Sequence, residues 1–346
     1  MDKKKIAVAM SGGVDSSAAL KLLIDEGHTP IGVTMLMHSR SDDPETAAMA
    51  AKSVADALGI PHHVLPVQDR FASCVMDDFV REYKNARTPN PCVICNKTVK
   101  FPLLAEFASA NGCGLIATGH YAKVARIGDR YVIKKAADGN KDQSYMLWGL
   151  TQEILSRLVL PLGGYTKAEI RAIAADAHLP TAKSKDSQDI CFIPDGDYVS
   201  FLSSCGAALA PGRYTDKGGN ILGESKAQEC YTIGQRKGLG IALGHHAYVI
   251  SRDAATNTVV LGDECDLYKK TVTARDVNFI ACDSLTAPER LTAKVRYGKT
   301  DAPCTVRQTD DGEVTAEFDD PIRAPAPGQS LVVYDGDTVV LGGIIK

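Results

Sequence analysis

Ser11-Gly12-Gly13-Val14-Asp15-Ser16-Ser17 follows a short apolar run, Lys5–Met10, and opens a stretch, Val14–Glu26, whose apolar residues recur at helical spacing and stop at Gly27. Strand, glycine loop and helix in that order make an anion cradle. Glycines let the backbone close on an oxygen atom. Free N–H groups and the dipole at the helix start favour negative charge. Ser11, Ser16 and Ser17 can add hydroxyl donors, and Asp15 can hold Mg2+ or a loop amide. The stretch lacks the lysine of the GxxxxGK(S/T) loop and does not follow GxGxxG. A glycine turn with a Ser/Asp helix cap is the plainer reading; the strand before it and the helix after it favour the cradle. Ligands of parallel sheets lie at the carboxyl ends of the strands, which sets Ala9, Met10 and Met35 beside the ligand.

Outward from the loop, strand and helix patterns alternate. Ile31–Leu36 and His63–Val67 read as strands, Pro44–Leu58, Asp69–Ala86 and Lys97–Ala110 as helices, and Leu115–Thr118 as a further buried strand. This repetition predicts an α/β domain, a parallel sheet with helices on both faces. Arg87–Pro91, with two prolines, is a loop. Ala122–Lys135 alternates about Gly128-Asp129 and predicts a β-hairpin. Helices return at Gln143–Gly149 and Lys167–Ala177. After about residue 205, short alternating segments separated by turn pairs such as Gly218-Gly219 and Asp335-Gly336 predict two small β-rich units. The expected division is 1–204, 205–268 and 269–346, the second boundary falling near 265–275.

A chain of 346 residues exceeds what one core usually supports. Its 45% apolar and 23% charged residues are ordinary for a globular protein, and no apolar run approaches the ~18 residues that span a bilayer. The basic, then apolar, N-terminus runs straight into the glycine loop, so a first strand explains it better than a targeting segment. A cytoplasmic protein with no membrane partner is expected. A net charge of −3 argues against a bulk-basic nucleic-acid binder but allows a local basic face. Ten scattered cysteines suit thiols, metal ligands or catalytic groups better than structural disulfides.

The second constellation is residues 87–101, RTPNPCVICNKTVKF. Prolines stiffen the loop, and Cys95 falls where a helix should begin, a position that lowers a thiol pKa. Lys84, Arg87, Lys97 and Lys100 add positive charge with no acid between them. Cys92 and Cys95 are thus candidate nucleophiles or metal ligands, against the plain alternative of an inert CxxC turn. Cys191, in Ser187-Gln188-Asp189-Ile190-Cys191-Phe192-Ile193, reads alone as a core thiol and gains meaning only with the other two. Lys123, Arg126, Arg130, Lys134 and Lys135 crowd the expected hairpin with only Asp129 opposing. A phosphate-backbone footprint and an ordinary solvated hairpin both fit that pattern.

The loop resembles the SGGxDS loop of ATP pyrophosphatases (PP-loop enzymes). With it, residues 87–101, ATGHYA (117–122), KDQSYMLWGL (141–150), SQDICFIPDGDY (187–198), CYTIGQRKGLGIA (230–242) and PGQSLVVYDGD (327–337) resemble the tRNA-specific 2-thiouridylases from end to end. That resemblance implies an adenine-nucleotide α-hydrolase-like domain followed by two β-rich domains. It implies that ATP adenylates the C2 oxygen of the wobble uridine and that sulfur then displaces AMP. Cys191 matches the cysteine that carries a persulfide from a sulfur-donor protein, and Cys95 the second catalytic cysteine, able to form a disulfide with it. Ala9 to Ser16, Met35 and Gly119 match the nucleotide site. Asn90, Pro91 and position 92 match residues beside the target base in the anticodon loop. His120, Lys141, Asp142, Gln143, Arg296, Tyr297 and Gln329 match tRNA contacts.

One departure matters. The commoner family pattern has aspartate where this chain has Cys92. A persulfide needs two thiols, whereas Cys92, Cys95 and Cys191 together suit a site-differentiated [4Fe-4S] cluster that takes sulfide on its free iron. Zinc would need a fourth ligand that the sequence does not offer. Two rivals to thiolation remain at this stage. A PP-loop synthetase or amidotransferase would need an ammonia source and would leave the CxxC unexplained. A non-catalytic RNA-binding or iron–sulfur sensor would have no use for a pyrophosphate cradle.

Overall fold

The computed structural model describes residues 4–37, 44–184, 190–193, 196–298 and 300–346. Ser187, Gln188 and Asp189 of the Cys191 motif lie outside them. The chain begins β1 (Lys5–Ala9), α1 (Val14–Asp25), β2 (Thr29–Leu36), α2 (Pro44–Ala57) and β3 (His62–Pro66). The expected helix from 69 to 86 forms as α3 (Gln68–Phe71) and α4 (Asp77–Lys84), joined by a π-helical turn at Ala72–Met76. A second composite helix runs from α5 (Pro91–Cys95) through a π turn, Asn96–Lys100, into α6 (Phe101–Ala110). β4 (Leu115–Ala117) follows, then the hairpin β5 (Lys123–Ile127) and β6 (Arg130–Lys134). Next come α7 (Gln152–Arg157), the short β7 (Leu158–Val159), α8 (Lys167–Asp176) and α9 (Tyr198–Ser204).

The first sheet is parallel, in the order β3-β2-β1-β4-β7. The strand order reverses about β1, so the crevice between the carboxyl ends of β1 and β4 is the switch point at which such sheets bind ligands. The glycine loop leaves β1 at that place.

A small central sheet, β10-β11-β8-β9, is built from β8 (Gly212–Thr215), β9 (Ile221–Ser225), β10 (Tyr248–Asp253) and β11 (Thr258–Gly262). The last unit comprises β12 (Tyr268–Phe279), β13 (Glu289–Lys294), β14 (Ala302–Gln308), β15 (Val314–Arg323), β16 (Ser330–Asp335) and β17 (Thr338–Ile345). These antiparallel strands close into a barrel through the β12–β17 pairing. The β5–β6 hairpin extends the barrel's sheet, Lys134 pairing with Thr338.

Residues 143–149 do not form the expected helix. Only a 3-10 turn, Ser144–Met146, appears. Tyr145 and Trp148 instead enter a core shared with Val332, Tyr334 and Val339 of the barrel. The Tyr145 hydroxyl donates to Ser330 O (2.8 Å) and Trp148 Nε1 to Ser330 Oγ (2.9 Å). Tertiary contacts here outweigh helix propensity.

Candidate active site

The glycine loop owes its shape to close packing. Gly12 has φ +76°, and a Cβ there would lie 2.6 Å from Ala47 O. Gly13 is the N-cap of α1 without a side-chain cap, so the helix start keeps N–H groups for an anion. Ser11 N–H donates to Ser16 Oγ (3.2 Å), and Ser16 Oγ donates to Gly13 O (3.1 Å). Ser17, in contrast, is fully buried, donates to Gly13 O (2.9 Å) and accepts from Thr181 (2.8 Å). Its expected part as a ligand donor is therefore corrected: it ties the loop to the chain near α8.

Met10 and Val14 are buried, so they offer the ligand backbone only, while Ala9 and Met35 are half-buried at the ends of β1 and β2. Gly119 closes the crevice opposite the loop. A Cβ there would stand 2.9 Å from Ser16 N. Sequence reasoning missed two residues here. Lys167 Nζ and the Tyr121 hydroxyl both donate to Asp15 Oδ1, each at 2.7 Å. Thr166 and Glu169 form a capping box that marks the start of α8 in the sequence, but only the packing of α8 on α1 aims Lys167 at the loop.

The thiols gather at the next edge of the domain. Asn90 caps α5, its Oδ1 accepting from Val93 N (3.4 Å), with Pro91 at the first helical position. Cys92 lies in the first turn and is exposed, whereas Cys95 ends α5 and is buried. Cys191 is exposed on a tight turn, Ile193 N donating to Ile190 O (2.7 Å). Phe192 anchors that turn among Phe71, Phe79 and Phe201, with ring centroids 5.0–5.6 Å away, in the same core as Cys95.

The three thiols feel one another. Burial pushes each thiol pKa up, Cys191 to about 12; charge on the neighbouring thiols raises Cys95 and Cys191 further, and Lys100 opposes the rise in all three. Cys92 and Cys191 are nonetheless exposed. The expected lowering at Cys95 does not occur, because this residue ends the first turn instead of starting it and sits in an apolar core. Every cysteine is a free thiol, and the three sulfurs do not all lie within 4.8 Å of one another among the described residues. That spacing is wider than one zinc ion takes, with Zn–S near ~2.3 Å.

Three family models match in sequence order: the tRNA methyl transferase HUP domain at residues 4–195, the tRNA methyl transferase PRC-barrel domain at 200–263 and the aminomethyltransferase beta-barrel domain at 269–345. The tRNA-specific 2-thiouridylase MnmA of Acetivibrio thermocellus is 45% identical over 359 residues, covering 100% of both chains. The chain belongs to the tRNA-specific 2-thiouridylase family. Its members from Halothermothrix orenii (44% identical, 99% of both chains) and Clostridioides difficile (43% identical, 99% of this chain and 98% of that one) are similar over the same span. Among solved structures, the U34-tRNA thiolase NcsA from Methanococcus maripaludis with its [4Fe-4S] cluster aligns at TM-score 0.37 and 17% identity. It covers 59% of this chain and 67% of that one, a likeness too low to carry an argument. Membership makes the chain an enzyme of ATP-dependent tRNA uridine 2-thiolation. No helix among the described residues is long and apolar enough to cross a membrane.

The residues that the family pattern assigns to tRNA fall into two groups. Tyr297 is exposed, and its hydroxyl pKa is raised by burial first and then by Asp142, with a smaller contribution from Cys92; the barrel therefore reaches the thiol cleft. Lys141 acts on the same hydroxyl. His120 stacks on Phe101 (5.7 Å) and shares a hydrogen bond with Thr118 (2.7 Å). Burial, helped by Lys100, holds its pKa well below the ordinary imidazole range, so it is neutral at pH 7.

Others turn inward. The Asp142 carboxylate is buried and accepts from Ala136 N (3.1 Å) and from Ser144 N and Oγ (3.2 and 2.9 Å). Gln143 Oε1 accepts from Tyr121 N (2.9 Å). Arg296 Nη2 donates to Ile233 O (3.0 Å), and Gln329 Nε2 donates to Thr88 O and Pro89 O (2.9 and 3.1 Å). Their side chains shape the cleft from behind. The hairpin's basic residues are also engaged: Arg130 with Asp283, Lys134 with Asp337 (2.9 Å) and Lys135 with Asp301 (3.0 Å). The sequence left a phosphate footprint and a solvated hairpin open; in the structure Arg130, Lys134 and Lys135 pair with carboxylates of the barrel and bind the hairpin to it.

Proposed function

We propose that the chain thiolates C2 of the wobble uridine, and that Cys92, Cys95 and Cys191 hold a [4Fe-4S] cluster as the sulfur carrier. The carrying observation is that Cys191 feels the charge of both Cys92 and Cys95, Cys95 that of Cys92, and all three that of Lys100, which makes the three thiols neighbours. The donor set fits. Burial keeps the bare thiols protonated, and a bound metal is what makes such groups thiolates. When bound, a cluster on three cysteines leaves one iron to present sulfide.

The remaining steps use the chain's own residues. Gly12, Gly13 and the start of α1 hold the pyrophosphate of ATP, and Mg2+ bound mainly through the phosphates approaches past Asp15. The uridine C2 oxygen attacks the α-phosphorus and pyrophosphate leaves. Sulfur then adds at C2, and AMP departs with the oxygen. Neutral His120 and exposed Tyr297 flank the cleft where the splayed base would lie. The sulfur comes from a donor protein or from sulfide.

A second reading has its own support, because Cys191 is exposed on its turn, within reach of a donor. A persulfide there would attack C2 and displace AMP. Cys95 would next attack Cys191 Sγ, release the thiolated tRNA and leave a Cys95–Cys191 disulfide for an external thiol to reduce.

Anaerobic purification with iron and sulfide analysis, paired with a thiolation assay on Cys92→Asp, separates the two. Under the cluster reading the wild type holds about four irons, and Cys92→Asp loses both iron and thiolation. An iron-free wild type that thiolates, with Cys92→Asp equally active, would leave the persulfide reading. ATP cleavage to ADP, or AMP release without tRNA, would sink both.

A further inference from the structure

Thr88 stands three residues before Pro91, where α5 begins, and the two β-rich domains hold every polar atom it has. Its N–H donates to Pro327 O (2.7 Å), its carbonyl accepts from Gln329 Nε2 (2.9 Å), and its hydroxyl accepts from Arg252 Nη2 (3.0 Å). The barrel turn presses directly on this backbone. Gly328 has φ +91°, and a Cβ there would lie 2.9 Å from Thr88 O. Only Pro89 and the cap Asn90 stand between Thr88 and the helix, whose first residue is Pro91; the two prolines have fixed φ, so a shift at Thr88 is passed on to Cys92 and Cys95.

Arg252, on β10, is the central domain's share of this grip. Its guanidinium is buried and has no carboxylate within ion-pair distance among the described residues. Nη1 donates to Tyr231 O (2.7 Å), the group lies 5.7 Å from the Tyr83 ring centroid, and Nε has no hydrogen-bond partner. A buried cation of this kind is costly to keep. Within its own domain it serves the carbonyls of Gln228 and Tyr231; outside that domain it reaches the Tyr83 ring and, through its side-chain hydrogen bond, Thr88.

We propose that Arg252 is a positioning residue for thiolation: acting through the Thr88 hydroxyl, it fixes where α5 presents Cys92 and Cys95. The inference rests on the reading that the thiols of α5 serve sulfur transfer. Misplacing a reacting group by a fraction of an ångström lowers turnover while leaving substrate binding intact.

The test uses the full-length enzyme with Thr88→Val, Thr88→Ser, Arg252→Gln and the Thr88→Val/Arg252→Gln double variant. Thr88→Val removes the acceptor and leaves Arg252 its contact with Tyr231, so it stays informative even if Arg252→Gln fails to fold. We expect Thr88→Val to lower thiolation kcat about tenfold, with KM for ATP and tRNA within about twofold of wild type. Thr88→Ser should restore kcat, and the double variant should be no slower than the slower single one. A Thr88→Val enzyme with wild-type kcat, or one that changes only KM for tRNA, overturns the proposal. Cys95→Ala, run alongside, keeps the two failures apart. If it thiolates normally, the carrier reading falls; if it is dead while Thr88→Val is intact, only the positioning role falls.

Discussion

Asp15 takes two hydrogen bonds on one oxygen, from the Lys167 ammonium and the Tyr121 hydroxyl. A lysine held this close to a pyrophosphate cradle can serve the phosphates as a point charge once nucleotide is bound. We predict that Lys167→Met raises KM for ATP by about tenfold or more, as hydrogen bonds to charged groups contribute about 1.5–3 kcal/mol. Tyr121→Phe, which keeps the ring, should change it little. Initial rates of tRNA-dependent AMP release would show this, and an unchanged KM in Lys167→Met would reduce the lysine to a strut between α1 and α8. The thiols make a second residue-level prediction. Their raised pKa values mean that the reactive thiolate is scarce at neutral pH and grows as pH rises. Carbamidomethylation of Cys191 in iron-free protein should therefore accelerate about tenfold per pH unit through pH 9. Lys100→Met should slow it at every pH. A plateau below pH 8, read by mass spectrometry, would mean that the cleft favours thiolate after all.

At the scale of elements, the stretch from Tyr145 to Trp148 is a wedge between α5 and the barrel. Gly342 on β17 exists for its sake, since a Cβ there would lie 2.4 Å from the Trp148 ring. Gly342→Ala should destabilise the protein by about 1–3 kcal/mol through overpacking. Calorimetry would register this as a lowered Tm, and an unchanged Tm would mean that the indole has room to move. The same wedge explains what the sequence could and could not convey. The glycine loop and the hairpin about Gly128-Asp129 were legible, because each is written in neighbouring residues; the helix expected to begin at Cys95 starts earlier, at Pro91 behind the Asn90 cap. The helix expected at 143–149 failed because Ser330, its competitor for Tyr145 and Trp148, lies in the barrel. The hairpin's charges stayed ambiguous for a similar reason: their partners Asp283, Asp301 and Asp337 are far away in sequence. Cys95 looked acidic from helix position alone. Phe192, Phe71 and Phe79, whose apolar core takes in Cys95, cannot be weighed before the fold is known.

For the whole molecule, the deciding fact is that the first domain and the barrel share a core, with Ile133, Tyr145 and Trp148 meeting Val332, Tyr334 and Val339. A chain stopped after residue 264 would expose that apolar surface. We expect it to bind hydrophobic dyes and to lose the sharp thermal transition of the full chain; a cooperative, dye-silent fragment would show that the first domain stands alone. The pairing of Lys134 with Thr338 carries this into time. A hairpin made early in synthesis must wait more than half the chain for the strand that completes its sheet, and such distant pairings are slow to form. The loop that leads into α5 waits with it, since Pro327, Gly328 and Gln329 arrive among the last residues. A nascent or prematurely ended polypeptide thus lacks the contacts that fix the approach to α5. On the proposed role of Cys92 and Cys95, sulfur chemistry is confined to chains translated nearly to the end.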